Sequence, residues 1–512
     1  MEQLTKNQSE EGKNVQTVEK SVKRDWFRIL ALPSLLYGLI YAFCLYRNVA
    51  GVMVPIWILA TIIYAVFVMK RLDLRLKQDS YFQIAVMLLL GISTFLTGNV
   101  YIIAMNYIGF FLLIVAWLLH HFEEDQNWDF SKHLLEIVRA VFGALGCLLE
   151  PLIEGSGFLK SKSGSKNKTV QRIILGIVLA IPLSFVLIGM LASADAVFEA
   201  WLDSFVGTVI VPWNIILVLA LITFGFFSSY CGMHYLGANQ NTIRNHEIKK
   251  REPVTVITIT AIISLLYLVF SVIQIVYLFL GLGTLPNGMT YAEYARTGFF
   301  QLLFICLLNL LLVVIVKKYI QSHRVLTTLL VIICGCTYIM IASSAYRMLL
   351  YIGAYHLTFL RIFVLVALAV ISLIMVGVII TLFSERFPLF QYSVVVISFL
   401  YLCFSFAHID SYIANYNLAH MTEATKEETL SYIGTLSTDA VGVIHKYVEQ
   451  EDDPLVAEIV ELLKEDQVNQ AYKEYEDYAW LISYIRRNEY LTRNQGIRTF
   501  NLSYHLAKQI QW

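Results

Sequence analysis

The stretch SSAYRMLLYIGAYHLTFLR, Ser343 to Arg361, places two arginines among tyrosines and a histidine, between two long apolar runs. An arginine at membrane depth is costly, so it normally faces the interior of a helix bundle or water and has a partner there. Arg347 and Arg361 are therefore candidate site residues. The alternative is that both are interfacial anchors, whose charged ends reach the headgroups and pair with a carboxylate for structural reasons.

The composition of the chain indicates a membrane environment for this stretch. Of the 512 residues, 58% are hydrophobic and 15% are charged, and the mean hydropathy is +0.65, which is too apolar for a soluble domain. The formal net charge is zero and no dense Lys/Arg tract occurs, so nucleic-acid binding is not expected. All seven cysteines lie in apolar segments and predict neither disulfides nor a zinc site.

Long apolar runs predict about eleven membrane spans, because a helix needs about 20 apolar residues to cross the hydrocarbon core. The predicted spans are Ile29–Tyr46, Gly51–Met69, Tyr81–Thr97, Val100–Leu119, Val170–Ala192, Val209–Met233, Val254–Leu282, Phe299–Val316, Val325–Ser344, Thr358–Phe383 and Leu389–Ala407. The expected fold class is an all-α integral membrane protein with a carboxyl-terminal extracytoplasmic helical domain. Such a protein is expected to interact with the lipid bilayer along its spans.

The distribution of basic residues predicts the orientation. One set of span ends carries 21 Lys and Arg residues and the opposite set carries 4, and Lys and Arg accumulate on the cytoplasmic side. The amino terminus is therefore expected in the cytoplasm and the carboxyl terminus outside. The first 25 residues are polar and lack an apolar signal sequence, so we expect a multi-pass protein whose first span serves as its own insertion signal.

Changes in composition divide the chain into five predicted segments. They are a disordered cytoplasmic tail (1–25), a four-span membrane unit (26–122), an interfacial amphipathic helix with a Gly/Ser/Lys linker (123–169), a seven-span core (170–407) and an acidic helical domain (408–512). The amphipathic helix covers Ser131 to Glu154 and is followed by the linker GSGFLKSKSGSKNK. The last segment carries 17 acidic and 9 basic residues.

The predicted topology collects charged and aromatic side chains on the outward face. The candidate ligand or ion-pair cluster is Asp195, Glu199, Asp203, Glu293, Arg296, Arg347, Tyr351 and Arg361. Opposite charges at one depth should pair, since an unpaired buried charge costs several kcal/mol. The cluster could bind a charged headgroup, an amino acid or a peptide terminus, or it could be a structural clasp between span ends.

Two residues in the opening stretch refine this cluster. Arg347 and Tyr351 are four residues apart and can share a helical face, whereas Gly353 is expected to interrupt that helix. His356 could titrate near neutral pH as a sensor or proton shuttle. Its alternative role is that of an amphipathic anchor.

The remaining polar residues in apolar surroundings have ordinary explanations. The cluster His120, His121, Glu123, Glu124 and Asp125 is nearly consecutive, so few of its members could converge on one metal ion. A solvated span end is expected there. Asn106, Gln274 and Asn309 lie within spans and predict interhelical hydrogen bonds. Motifs of known enzyme classes are absent, and no cofactor or metal is indicated.

Several blocks together carry a family resemblance. The blocks are SADAVF (Ser193–Phe198), YAEYARTGFF (Tyr291–Phe300), Ser343–Arg361, and IANYNL with LSTDAV (Leu436–Val441). They resemble the signature blocks of bacterial polytopic membrane proteins in the domain-of-unknown-function 4173 family, which is related to family 4153. The resemblance implies a multi-pass protein of the bacterial plasma membrane and no particular activity. At His356 the family pattern is expected to have glycine in many members.

These observations predict a non-enzymatic envelope sensor or scaffold that binds an extracytoplasmic protein or a small-molecule ligand at its charged outer rim. Two alternatives stay open. A transporter of a small charged solute would need ionisable groups or a cavity deep in the bundle, and a transferase acting on a lipid-linked substrate would need a carboxylate or histidine over an interfacial cavity.

Overall fold

The computed structural model of the chain describes residues 25–78, 80–163, 213–240, 250–276, 298–493 and 495–510, with residue 512 and scattered positions between 184 and 201. In these ranges the secondary structure is α-helix with short 3-10 turns. One isolated bridge joins Arg251 to Ile320. The predicted all-helical class is confirmed.

The apolar part of the chain forms twelve helices within the described ranges. In chain order they are α1 (Trp26–Leu45), α2 (Met53–Arg71), α3 (Ser80–Leu96), α4 (Val100–Phe122), α5 (Phe130–Gly146), α6 (Glu150–Ser163), α7 (Trp213–Ala238), α8 (Val254–Gln274), α9 (Phe299–Tyr319), α10 (Arg324–Tyr355), α11 (Phe359–Phe383) and α12 (Leu389–Phe406).

Nine of these described helices are long and apolar enough to cross a membrane, namely α1, α2, α4 and α7 to α12. Helix α3 is also apolar but has 17 residues, the lower end of the length needed to span. The chain is therefore a multi-pass membrane protein. The predicted span Val170–Ala192 lies almost wholly outside the described residues, so the count of eleven stays a prediction.

The structure corrects two local predictions. The single amphipathic helix predicted from Ser131 to Glu154 is two helices, α5 and α6, and α6 continues to Ser163 through residues predicted to be linker. Helix α10 does not end at Gly353 but runs to Tyr355, giving 32 residues. A glycine in a helix costs only about 1 kcal/mol relative to alanine, which the packing of a long apolar helix easily offsets.

Contacts divide the chain into two compact units, the first comprising the described parts of Met1–Tyr46, Ile63–Arg75 and Ala140–Asn239. Its centre is the crossing of α1 and α7, where glycines let the two backbones approach closely. A Cβ atom on Gly38 would lie 2.6 Å from the carbonyl oxygen of Ile222. Beside the crossing, the hydroxyl of Tyr64 hydrogen-bonds to Ser34 at 2.8 Å and donates to the carbonyl of Ser229 at 3.2 Å.

The second unit, Arg47–Ile62, Leu76–Arg139 and the described part of Gln240–Trp512, also contains the polar carboxyl-terminal helices. They are α13 (Ile409–His420), α14 (Lys426–Ile433), α15 (Val441–Glu451), α16 (Pro454–Lys464), α17 (Val468–Glu474), α18 (Ala479–Arg493) and α19 (Leu502–Gln509). The helix starts follow local sequence rules: Asp453 accepts the N–H of Leu455 and Pro454 opens α16.

One apolar core runs through the second unit from the spans into the carboxyl-terminal helices. Met348 and Ile352 of α10 belong to the same buried cluster as Ile413, Ile433 and Tyr484. The carboxyl-terminal helices are thus packed directly on span ends, although their composition is that of a solvated domain.

We expect Gly38→Ala to lower the thermal midpoint of the purified protein in detergent, because the added methyl group forces the α1 and α7 backbones apart. Overpacking of this kind costs about 1–3 kcal/mol. Gly232→Ala in α7 is the matched control, since a Cβ atom there meets nothing within 4 Å. A Gly38→Ala midpoint equal to that of Gly232→Ala would contradict the close crossing.

Candidate functional site

The structure describes four of the eight residues predicted to form the rim cluster. Glu199, Asp203, Glu293 and Arg296 lie outside the described residues. The carboxylate of Asp195 accepts the backbone N–H groups of Val197 at 2.7 Å and Phe198 at 3.0 Å. Asp195 therefore caps its own turn.

Arg361 closes the carboxyl end of α10. Its guanidinium donates to the carbonyl oxygens of Tyr355 and His356 and lies 4.1 Å from the ring centroid of Tyr351. The last carbonyls of a helix lack intrahelical donors and attract a cation. Arg361 thus has a structural role as a helix cap, and its guanidinium also covers the ring of Tyr351.

Arg347 is 6% exposed and connects two spans. Its guanidinium donates to Oε1 of Gln274 in α8 at 3.1 Å, and the hydroxyl of Ser343 donates to the same oxygen at 2.6 Å. These contacts link α8 to α10 through a neutral amide, and the predicted clasp between opposite charges of the rim cluster stays a prediction. A ligand-binding role for the rim cluster stays a prediction.

His356 follows α10 in a backbone conformation with φ +60° and ψ −175°, which favours glycine. This explains why glycine is expected here in many family members. Burial lowers the pKa of His356, and the neighbouring His420 and Arg361 lower it further. A shift away from neutral pH argues against a sensor role for this histidine.

Asp439, in the turn before α15, holds the carboxyl-terminal helices to the connection between α3 and α4. Its carboxylate accepts the hydroxyl of Thr97 at 2.5 Å, the backbone N–H of Gly98 at 2.8 Å and the hydroxyl of Ser503 at 2.5 Å. A Cβ atom on Gly98 would lie 2.0 Å from Oγ1 of Thr438. Only glycine therefore fits this contact.

A second carboxylate, that of the buried residue Asp410, reinforces the same junction. It accepts the side-chain amide of Asn99 at 2.9 Å and the backbone N–H of Ser437 at 2.9 Å. Burial raises the pKa of Asp410 above its usual value. The amide of Asn501 donates to the carbonyl of Ala50 at 2.7 Å, so the connection between α1 and α2 is held as well.

The carboxyl-terminal helices enclose a cavity of about 510 Å³, within the size range of small-molecule sites. Residues from α16, α18, α19 and the end of the chain line it. They are Val460, Leu463, Lys464, Ile485, Asn488, Glu489, Thr492, Ala507, Lys508, Ile510 and Trp512. The lining is mixed, with apolar walls and both signs of charge.

Asn488 stands out among the lining residues because it is only 5% exposed and, although the hydroxyl of Tyr484 lies beside it, neither amide atom makes a hydrogen bond of good geometry to a described residue. Leaving a buried polar group unsatisfied costs about 1–3 kcal/mol. No motif in the sequence pointed to this residue, and its burial depends on three other helices.

At the opposite end of α4, three of the five residues expected at a solvated span end are buried. Asp125 is 4% exposed, and His121 and Glu123 are also buried, so the prediction was wrong for these three, whereas Glu124 is exposed. Nδ1 of His120 lies 2.7 Å and Nε2 of His133 lies 3.5 Å from Oδ2 of Asp125. The sequence missed His133 because α5 brings it back over the turn.

The environment of Asp125 keeps it ionised. Burial alone would raise its pKa, but hydrogen bonds with His120 and His133 and the charges of His120 and Lys77 hold the pKa well below its usual range. A cavity of about 230 Å³ adjoins the cluster and is lined by His120, Asp125 and apolar side chains including Phe390. Charged groups beside a cavity are a common feature of functional sites.

Residues 84–447 match the sequence profile of a family described as Domain of unknown function (DUF4153). The chain belongs to the DUF4153 family. This confirms the resemblance expected from the signature blocks, and DUF4153 membership assigns no activity. No curated protein and no solved structure matches the chain. The DUF4153 segment includes Arg347, Asp125 and Asp439, whereas the cavity around Asn488 lies beyond it.

In this DUF4153 chain we expect Asp439→Ala to loosen the carboxyl-terminal helices, because three donors lose their acceptor. The free energy of unfolding should fall by at least the roughly 1.5–3 kcal/mol that one hydrogen bond to a charged group contributes. Limited proteolysis of the detergent-solubilised protein should cut the region after residue 408 faster than in wild type. Asp477→Ala, at an exposed position, is the control, and equal cleavage rates in both variants would refute the role of Asp439.

The lowered pKa of Asp125 predicts a pH dependence of stability. Because the ionised form is favoured in the folded state, its stabilisation is fully present above the ordinary carboxyl pKa of 3.8 and is lost as the pH falls through the lower folded value. Asp125→Asn should therefore lower the thermal midpoint at pH 7, and the difference from wild type should shrink below about pH 4. Glu124→Gln is the exposed control. A difference that is constant from pH 7 to pH 3 would exclude this mechanism.

Proposed function

We propose that this DUF4153 protein is a non-enzymatic envelope sensor of the plasma membrane, which binds a small polar ligand in its carboxyl-terminal helices and transmits the bound state to its membrane spans. The observation that carries the proposal is the buried amide of Asn488, unsatisfied by any described residue, in a cavity of about 510 Å³. Proteins rarely leave such a group unpaired without a functional reason.

The cavity favours a ligand of limited size with an amide-like or carboxylate group. The amide of Asn488 can pair with one donor and one acceptor, and Lys464, Lys508 and Glu489 are among the residues that line the cavity. The apolar walls would cover the rest of the molecule. A small peptide or amino-acid derivative has this chemistry.

A continuous set of contacts leads from the cavity to the membrane spans. In helix α18, which carries Asn488, the hydroxyl of Tyr484 donates a hydrogen bond to the carbonyl of Ser437 at 2.9 Å. Ser437 lies two residues from Asp439, whose carboxylate holds Thr97 and Gly98 between α3 and α4. Movement of α18 on ligand binding would therefore act on the ends of two transmembrane helices.

The polar residues inside the spans support sensing over transport. Asn106 hydrogen-bonds to Thr94, Tyr401 and Ser405. Asn309 bonds to Tyr267 and Thr337, and Gln274 bonds to Ser343 and Arg347. These amides are occupied by protein partners, whereas a solute pathway would need them to face a cavity.

The proposed location outside the cell rests on the sequence. The 21 Lys and Arg residues on one set of span ends, against 4 on the other, favour a cytoplasmic position for the basic set. The carboxyl-terminal helices adjoin the opposite ends, at the connections after α1 and α3. We propose that the ligand reaches the cavity from the outer side.

A second candidate function follows from the cavity of about 230 Å³ beside His120 and Asp125. A transferase acting on a lipid-linked substrate needs a carboxylate or histidine at such a cavity, and the hydrogen-bonded pair of His120 and Asp125 could act as a general base. This cavity lies at the end of α4 that is on the cytoplasmic side in the predicted topology.

Asn488→Leu tests the sensor proposal. Leucine has a similar volume and removes the unsatisfied amide. We therefore expect a higher thermal midpoint, because the free energy of unfolding should rise by up to the roughly 1–3 kcal/mol that the unpaired group costs. In a deletion strain of the native host, the variant should reach normal abundance but fail to restore the envelope-stress response, while solute uptake stays normal.

Gln470→Leu, an exposed change on α17, is the control and should complement fully. Destabilisation by Asn488→Leu, or full complementation by it, would contradict the sensor proposal. Loss of solute uptake would favour transport. Failure of Asp125→Asn alone to complement, at normal abundance, would favour the transferase.

A further inference from the structure

The first unit contains a cluster of metal-binding side chains. Glu150 and Glu154 lie four residues apart on α6, so both carboxylates occupy one face of that helix. His234 projects from α7, near its carboxyl end. One oxygen from each carboxylate and one ring nitrogen of His234 lie within 4.8 Å of one another, which is close enough for a single cation to contact all three.

The charges of the cluster are not balanced by the protein. The described residues place no lysine or arginine within ion-pairing distance of either carboxylate, and the partner found there is His234, whose Nε2 lies 3.1 Å from Oε1 of Glu154. Like charges four residues apart also destabilise a helix. A divalent cation would balance the charge of the two carboxylates and remove their repulsion within the helix.

The buried imidazole gives a second, independent indication. His234 is 8% exposed, and its Nδ1 atom has no hydrogen-bond partner among the described residues. Nε2 is the ring nitrogen that faces Glu154, so in the neutral form with the ring proton on Nδ1 the lone pair of Nε2 is directed at that carboxylate, and such a lone pair binds metals. A cation there would replace the contact between Nε2 and Glu154.

The surroundings also resemble the outer shell of metal sites, where ligating carboxylates are themselves held by hydrogen bonds. The hydroxyl of Tyr230 donates to Oε2 of Glu154 at 2.5 Å. The ring of Trp26 packs edge-on against His234, with centroids 5.6 Å apart. Glu154 and His234 are thus fixed by neighbouring aromatic side chains before any cation arrives.

We propose that Glu150, Glu154 and His234 bind one divalent transition-metal cation of the Zn²⁺ class. An imidazole ligand disfavours Mg²⁺ and Ca²⁺, which prefer oxygen ligands alone. Three protein ligands leave a position for water or a further ligand, as in open zinc sites. This site is separate from the cavity around Asn488 and does not depend on the sensor proposal.

The test uses the full chain in detergent, stripped with EDTA, exchanged into buffer containing Zn²⁺ and freed of excess metal by gel filtration. Elemental analysis should find about one zinc per chain, and a hundredfold excess of Ca²⁺ should not displace it. Glu150→Gln and Glu154→Gln should each reduce retained zinc at least tenfold. Tyr230→Phe keeps all three ligands and should weaken binding by about 10- to 100-fold.

Two controls make the result specific to this site. Glu385→Gln changes an exposed glutamate in the second unit and should retain zinc as wild type does. His133→Gln removes a histidine of the other buried cluster and should also retain it. Absence of zinc in monodisperse wild-type protein, equal retention by Glu154→Gln, or loss only in His133→Gln would each overturn the proposal.

Discussion

The carboxylate of Asp439 joins the carboxyl-terminal helices of the second unit to its span ends. It accepts hydrogen bonds from Thr97, Gly98 and Ser503. The connection between α3 and α4 is buried under the carboxyl-terminal helices, and buried backbone groups must have partners. Hydrogen bonds to a charged acceptor are about twice as strong as neutral ones. Without this acceptor, the three donor groups beside the apolar core shared by α10 and α13 would lose their hydrogen-bond partner.

The same junction explains how an acidic region can be part of a membrane protein. Most of its charges lie at exposed positions, whereas its buried side includes Ile413, Ile433 and Ile444 and continues the core of the spans. Several buried polar atoms of the described residues lack a hydrogen-bond partner of good geometry, and the amide of Asn488 in this region is among them. Such groups call for an explanation, and a bound ligand is one.

Features governed by local sequence were predictable. The spans α9 and α12 begin and end within a few residues of their predicted limits, because length and composition alone define an apolar helix. Asp453 and Pro454 open α16 for the same reason, since a cap involves only neighbouring residues. Residues 1–24 and most of 164–212 are outside the described chain.

Features governed by long-range contacts were not predictable. Thr97 and Asp439 are separated by 342 residues, and Glu154 and His234 by 80, so no spacing rule in one sequence connects them. The burial of Asp125 depends on α5 folding back over the turn after α4. The rim cluster was inferred from shared depth alone, and depth does not determine which side chains meet: Arg361 caps α10 and Arg347 bonds to Gln274.

Hydrogen–deuterium exchange of the full chain in lipid nanodiscs tests most directly whether the carboxyl-terminal helices and the span ends are one cooperative body. The amides of Gly98, Tyr101 and Ile102 should be protected to the same extent as those of Ser437 to Val441. In Asp439→Ala both segments should lose protection together. Independent exchange of the carboxyl-terminal helices, with Gly98 still protected, would contradict the account.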